Sequence, residues 1–458
     1  MTITTVRGER GLLAALTLED KVRLLTGADN WSTRPAPAIG LRAMVVSDGP
    51  AGVRGATMDE RNPASSLPSP SALGATWDPA LVQALAAALG AEARSKGVDI
   101  LLAPTINLMR TPLGGRGFES FGEDPVLVAQ MAVAFVRGLH QAGVAAAVKH
   151  YAGNDSETGR WTYDARIAEP VLRELYLAPF EACVREVAVD LVMTGYNRVN
   201  GITMTEHSHL LRRVLKDEWG FEGVALSDWH AARSTVATAA AGLDLAMPGP
   251  DGPWGEKLIA AVRAGQITEQ EVDDKVLRVL RLARRVGAFG PAPDRGKPVL
   301  ADPLLLRTAA ATAFTLLRNE RGALPLDPGT IRSVAVIGPN AVHPVTQGGG
   351  SATVPQVSVS TPACALTMAL AGLDPLTRVT VRPGCATWTI VPEPPRHALT
   401  DPDTGQPGVR IEFRADDGTL AATEHRAATM FTWWDGLPAG IGRGGRSPRF
   451  RWRARSRL

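Results

Sequence analysis

The run Phe221-Glu222-Gly223-Val224-Ala225-Leu226-Ser227-Asp228-Trp229-His230 decides how this chain folds. Gly-Val-Ala-Leu reads as a buried strand, and its C-terminal end presents a carboxylate, Asp228, followed by an indole, Trp229. A single Asp after a strand also serves as a helix cap or turn residue, so the string by itself leaves both readings open. The same grammar recurs upstream. Apolar runs at 43–46, 98–103, 144–148 and 190–194 end in Ser47-Asp48-Gly49-Pro50, Pro104-Thr105-Ile106-Asn107, Lys149-His150-Tyr151 and Gly195-Tyr196-Asn197. A further run, 242–247, follows the Asp228 strand. Between the runs lie segments of helical character at 79–95, 125–142, 169–187 and 208–219. Apolar strands alternating with amphipathic helices predict an α/β fold with a parallel sheet buried on both faces. Polar residues at the C-terminal end of every strand predict a (β/α)8 TIM-type barrel, whose βα loops build a site on one rim. A doubly wound open sheet, which gathers ligand residues at one crevice, is the rival architecture.

The chain is 458 residues long and 45% hydrophobic, enough for two or three domains with a large core. The segment MTITTVRGER has no apolar stretch of the kind a signal peptide needs, and no run approaches a membrane span. Cys183, Cys364 and Cys385 lie far apart, without metal-ligand spacing. They suit a reducing, cytoplasmic location and argue against a zinc cluster. Residues 443–458 contain seven Arg and no acid, so the net charge of +3 belongs to this tail; without it, 42 basic residues face 46 acidic ones. An Arg-rich arm is able to bind nucleic acid or an anionic membrane. Its abrupt start without a linker instead points to an altered reading frame or a truncated gene model, and neither nucleic acid nor membrane is expected as a partner. The Val334-Ala335-Val336-Ile337-Gly338-Pro339-Asn340 string lacks a following GxGxxG, and Gly348-Gly349-Gly350-Ser351 lacks the Lys of a phosphate loop. No cofactor is expected.

Five motifs fall in order at the expected βα loops: SDGPAGVRG (47–55), GRGFESFGEDP (115–125), KHYAGND (149–155), MTGYNRVNG (193–201) and SDW (227–229). In this order they resemble glycoside hydrolase family 3, especially its bacterial β-glucosidases, over roughly residues 11–440. The resemblance implies a retaining, exo-acting β-glycosidase that removes terminal non-reducing β-D-glucosyl residues, with Asp228 as nucleophile. It further implies substrate-binding roles for Asp48, Arg54, Arg116, Lys149, His150, Arg160, Met193, Tyr196, Trp229 and Ser351. The partner it implies is a β-glucoside or small oligosaccharide; the oligomeric state stays open. Read from the residues alone, Arg116 and Glu119 pair only with each other, Glu123 and Asp124 cap a helix, and Met193 fills the core. The loop 153–160 has no His, which sets it apart from the N-acetylglucosaminidase branch and favours the glucosidases.

The expected organisation is a barrel over 1–290, a linker over 291–310, an incomplete α/β sandwich over 311–392, the start of an inserted β-domain over 393–440, and the Arg-rich tail over 441–458. Within these, a helix is expected at 304–319 and strands at 333–337, 409–413 and 431–434. The acid/base Glu that the resemblance implies has no matching context in Glu320, Glu393, Glu412 or Glu424. The chain is therefore expected to be impaired, the alternative being a catalytically dead, glycan-binding remnant of a damaged gene.

Overall fold

A computed structural model describes residues 8–55, 61–292, 299–373, 376–385, 394, 398–415, 417–429, 431, 433 and 450–456. The chain divides into two compact units. The first comprises Met1–Ala56, Ala64–Thr315 and Gly348–Thr353, the second Thr57–Pro63, Leu316–Gln347 and Val354–Leu458.

In the first unit the predicted alternation is present. Strands β1 (Val46–Asp48), β2 (Ile100–Leu102), β3 (Ala145–Tyr151), β4 (Leu191–Thr194) and β5 (Val224–Leu226) form one parallel sheet in that order. Helices α1 (Pro79–Ser95), α2 (Pro125–Gln141), α3 (Ala178–Val187), α4 (His209–Glu218) and α5 (Glu269–Arg285) surround it. Local chemistry explains their starts. Pro79 and Pro125 occupy first-turn positions, where a missing N–H costs nothing. Asp78 accepts from the Leu81 amide, and Asp124 from those of Val126 and Leu127. Asp124 is thus the helix cap that its position before Pro suggests. The expected helix over 208–219 is realised with wider turns, its Trp219 amide reaching back five residues to the Val214 carbonyl at 3.1 Å.

The run 242–247 takes a strand's place in the ring through a few hydrogen bonds, without a regular ladder. Ser227 N–H donates to the Leu245 carbonyl at 3.0 Å, and Ala246 N–H to the Leu25 carbonyl at 2.9 Å. The next neighbour is a segment the sequence reading left out. Thr26 pairs with Ala246 in parallel, Gly27 and Thr33 pair antiparallel, and Ser32 pairs antiparallel with Val45. The Val46 amide then donates to the Trp31 carbonyl at 2.8 Å, returning the ring to β1. Thr-Gly-Ala-Asp-Asn-Trp-Ser-Thr has no apolar run, so its hairpin could not be read as a barrel element.

Strand parity divides the core. Val46, Ile100, Leu102, Ala145, Ala147, Leu191, Met193, Val224 and Leu226 form one buried cluster with α5 residues such as Val276 and Leu280. Their neighbours Leu101, Ala146, Val148, Val192 and Ala225 face the other way, into a second cluster with α1, α2 and α3. Asp48 and Lys149 continue the first parity one rung further along β1 and β3.

In the second unit, β6 (Ser333–Ile337) pairs in parallel with β7 (Arg378–Arg382), with α6 (Pro362–Leu373) between them in sequence. Strand β6 lies where the alternation predicts it. The helix expected at 304–319 is shorter, Pro303–Thr312, and belongs to the first unit. Strand β8 (Val409–Ala415) pairs antiparallel with β9 (Leu420–Arg426) and β10 (Phe450–Arg455). The strand expected over 431–434 is not formed by Phe431 or Trp433, which add their rings to a small cluster with Ile411 and Phe413; Thr432 and Trp434 lie outside the described residues. Among the described residues no helix is long and apolar enough to cross a membrane.

Asp99, fully buried just before β2, holds Arg42 through both carboxylate oxygens at 2.7 and 2.8 Å and accepts from the Val45 amide at 2.9 Å. Removing it leaves a shielded guanidinium without its counter-ion beside β1. Asp99→Ala is expected to destabilise the barrel by about 3 kcal/mol, read as a lower urea midpoint. Arg263→Ala, which breaks an exposed pair with Glu19, should move it little.

Candidate active site

The polar strand ends converge at the C-terminal rim of the barrel. Lys149 Nζ donates to Asp48 Oδ1 at 2.6 Å, both side chains buried. Burial by itself would raise the Asp48 pKa, but the charges of Lys149, Arg54 and Arg116 outweigh it and hold the carboxyl below its ordinary range. Asp48 is therefore a fixed anion. Met193 is the register partner of Lys149 on β4 and of Leu226 on β5, and is 2% exposed.

Asp228 lies two residues beyond β5, buried. Its Oδ1 accepts from the Trp229 amide at 2.7 Å and from the Tyr196 hydroxyl at 2.9 Å. Its Oδ2 stands 3.7 Å from His150 Nε2, beyond hydrogen-bonding distance. The resemblance leads one to expect nearby cations to keep this carboxyl ionised. Burial is the larger influence, and it pushes the Asp228 pKa above its ordinary value against Trp229 N–H, Tyr196, Lys149 and Arg116. Tyr196 stays a neutral donor, because burial and the Asp228 charge push its hydroxyl pKa up.

His150 is held by Asn107, whose amide bonds the His150 backbone in both directions, N to Oδ1 at 2.7 Å and Nδ2 to O at 2.9 Å. That pairing orients the Asn107 amide. Its Oδ1 also lies 3.2 Å from His150 Nδ1, so Nδ1 carries the proton and Nε2 is left as acceptor for Arg116, 3.4 Å away. Burial and the cations Arg116, Lys149 and Arg160 lower the His150 pKa well below its ordinary value, so the ring is neutral. Arg116 pairs with Glu119 at 2.6 Å, as the residue-only reading held, and also reaches His150. Arg160 pairs with Glu157 at 3.1 Å and lies 5.2 Å from the Tyr196 ring centre.

Trp229 donates through its indole N–H to the Asn30 carbonyl at 3.0 Å, and its ring lies 5.2 Å from that of Trp31. Trp31 in turn carries the buried Arg54 guanidinium 3.6 Å above its ring. The ring-closing hairpin thus orients both Arg54 and Trp229. Trp31, Asn30, Asn107 and Glu119 were not among the predicted site residues. Asn107 had a signal, since it ends the run 98–103 as Lys149-His150 ends its own; Trp31 had none. Ser351 is exposed, in a single turn at Gly350–Ala352 grouped with the first unit, and among the described residues it makes no hydrogen bond to the Asp228 cluster. Its neighbour Gly348 lies so close to the Phe118 ring that a Cβ would overlap it.

A narrow cavity beside His150 and Arg116 is lined by the loops after β2 and β3, including Asn107, Met109, Asn154 and Asp155. Two larger cavities, of about 300 and 290 Å³, open near Arg278 and Arg281 at the opposite ends of the strands, away from Asp228. Among the described residues no group of His, Cys, Asp and Glu is arranged to hold a metal ion. Glu320 pairs with Arg318 at 2.7 Å, Glu412 with Arg414 at 2.9 Å, and Glu424 with Arg61 at 2.7 Å; Glu393 lies outside the described residues.

The chain resembles known proteins in sequence and in fold. Residues 11–282 match the glycosyl hydrolase family 3 N terminal domain, and residues 314–432 the family 3 C-terminal domain. A β-glucosidase of Rhizobium radiobacter is 45% identical over 347 residues, 75% of this chain and 42% of its own length. Beta-glucosidase B of Emericella nidulans is 39% identical over 413 residues, 89% and 48% of the two chains. The structure of a β-glucosidase from Kluyveromyces marxianus in complex with glucose superposes with a TM-score of 0.84 at 31% identity, covering 92% of this chain and 52% of the other. The chain spans about half the length of the curated relatives it matches.

Asp155 gives this rim a measurable titration. Burial raises its carboxyl pKa from 3.8 to about 7 against the Arg110 charge, and its Oδ1 has no hydrogen-bond partner among the described residues. An acid that binds its proton more tightly when folded loses stability as pH climbs from about 4 to about 7. Asp155→Asn removes that loss. The melting temperature of the variant relative to the parent should rise steadily between about pH 4 and pH 8, and a flat difference would contradict the assignment.

Proposed function

The chain belongs to glycoside hydrolase family 3, and we propose that it acts on terminal β-D-glucosyl residues by a retaining mechanism with Asp228 as nucleophile. The observation that carries this reading is the buried Asp228 carboxylate, with one oxygen tied down by two donors and the other without a hydrogen bond among the described residues, within the influence of the Lys149 charge. Relatives described as β-glucosidases, and a superposable relative in complex with glucose, support the choice of sugar.

In this reading Asp48, a fixed anion, accepts hydrogen bonds from two neighbouring sugar hydroxyls, and Lys149 and Arg54 hold it in place. Neutral His150, Arg116 and Arg160 serve the remaining hydroxyls. Trp229 faces the apolar side of the ring, and Met193 fills the space beneath it. Oδ2 of Asp228 attacks the anomeric carbon, because Oδ1 is occupied by two donors. The C–O bond to the leaving group breaks as the glycosyl ester forms, and water later cleaves that ester. The raised pKa of Asp228 makes the carboxylate basic and hence a stronger nucleophile once ionised.

The same mechanism needs a second carboxyl group about 5–5.5 Å away as acid and then base. Asp48 is held ionised and cannot donate a proton at neutral pH. Glu320, Glu412 and Glu424 are engaged with arginines. The chain is therefore expected to favour leaving groups that depart without a proton. Binding of glycans without turnover is the second reading, favoured by the engagement of these three glutamates.

A 2-deoxy-2-fluoro-β-glucoside with a dinitrophenyl leaving group should label Asp228 stoichiometrically, seen as an intact-mass increase mapped to the peptide of residues 223–233. Asp228→Asn should abolish labelling and leave glucose binding in place. Folded parent that binds glucose but takes no label leaves only the binding reading. Tyr196→Phe removes a donor to the charged form, so the Asp228 pKa should rise further. The acidic limb of the labelling rate should then move to higher pH, with its alkaline plateau kept.

A further inference from the structure

Trp161, on the loop after β3, is 42% exposed although its ring centre lies 4.1 Å from that of buried Tyr196, at 37°. Tyr196 therefore covers part of the indole, and the rest of the side chain stays open to solvent. Two guanidinium carbons, of Arg160 and Arg233, each lie 5.9 Å from its ring centre. Arg160 has a counter-ion in Glu157. Arg233 is exposed and donates to the Trp161 carbonyl at 3.0 Å, with no carboxylate partner among the described residues. The result is a solvent-facing aromatic surface with a positive charge that has no acid partner among the described residues, linked to the nucleophile through Tyr196, whose hydroxyl donates to Asp228 Oδ1 at 2.9 Å.

We propose that Trp161 and Arg233 form the subsite for the leaving group, and that it takes planar aromatic aglycones carrying a carboxylate. The inference rests on the glycosidase reading, which fixes the direction of the sugar. Asp48 and Lys149, 5% and 2% exposed, hold the end of the sugar remote from the bond that breaks. The anomeric carbon meets Asp228, so the leaving group extends from there toward solvent, where Trp161 is the large exposed aromatic beside Tyr196. An aromatic ring laid against the exposed part of the indole gains offset stacking and covers apolar surface. A carboxylate on that ring meets the Arg233 guanidinium, which has no acid partner among the described residues. Trp161 serving only as a cover for Tyr196 is the competing account, and it makes a different prediction, because loss of the cover would disturb Asp228 and the sugar together.

Binding of non-hydrolysable ligands separates these accounts without requiring turnover. Calorimetry would compare glucose, methyl 1-thio-β-D-glucoside, 4-carboxyphenyl 1-thio-β-D-glucoside and the methyl ester of the last. The aryl ligands should bind about tenfold more tightly than the methyl thioglucoside. The acid should exceed its ester by about threefold at low salt, a margin that shrinks as salt is added. Trp161→Ala should remove the aryl advantage while the Kd for glucose stays within about twofold, and Trp161→Phe should keep most of it. Arg233→Gln should erase only the preference for acid over ester; it and Trp161→Leu test the subsite if the alanine variant does not fold. An aryl advantage that survives Trp161→Ala, or glucose affinity that falls in parallel, overturns the proposal. A parent that binds glucose but shows no aryl advantage overturns it while leaving the glycosidase reading intact. A parent that binds none of the four ligands removes that reading and this subsite with it.

Discussion

The Lys149–Asp48 ion pair is the interaction on which the site depends. Its 2.6 Å contact joins β1 to β3 across β2, and both partners are buried. An unpaired charge at that depth would cost several kcal/mol, so neither residue tolerates loss of the other. Arg54 and Arg116 add positive charge at the same place. Asp228, also buried, gains less from these cations, and burial remains the larger influence on it. Two carboxyl groups of the same rim are thus driven in opposite directions. Asp48 becomes a permanent anion, and Asp228 a more basic carboxyl.

Strand parity is what makes this convergence possible. Residues of one parity on β1 to β5 fill the barrel interior, and those of the other pack under the helices. Moving Asp48 or Lys149 by one residue would aim it into the helix layer. The motifs therefore sit at fixed distances from the apolar runs that precede them. The ring-closing hairpin supplies what parity cannot. It brings Trp31 between Arg54 and Trp229, and its Asn30 carbonyl fixes the Trp229 indole.

Much of the barrel was legible in the linear chain. The helices over 79–95 and 125–142 end within a residue of their expected limits, because proline and aspartate mark their starts and the apolar face continues to the end. The strand over 242–247 was legible as an apolar run, but its pairing is reduced to isolated bridges. Among the site residues, Lys149 meets Asp48, and Tyr196 and His150 lie beside Asp228 on the same rim. Ser351 does not join them among the described residues. Trp31 stayed hidden because a tryptophan in a polar hairpin carries no periodicity.

The sequence by itself determined the alternation of apolar strands and amphipathic helices, the carboxylates and cations at the strand ends, and the family those ordered motifs resemble. These properties are local, being set by the spacing of side chains along a few residues. Only the tertiary structure decided which carboxyl is held ionised and which is raised, which Asp228 oxygen is open, and how much of Trp161 meets solvent. Charge state depends on burial and on cations brought from distant parts of the chain, and exposure depends on what packs beside a ring; neither is encoded in any one segment.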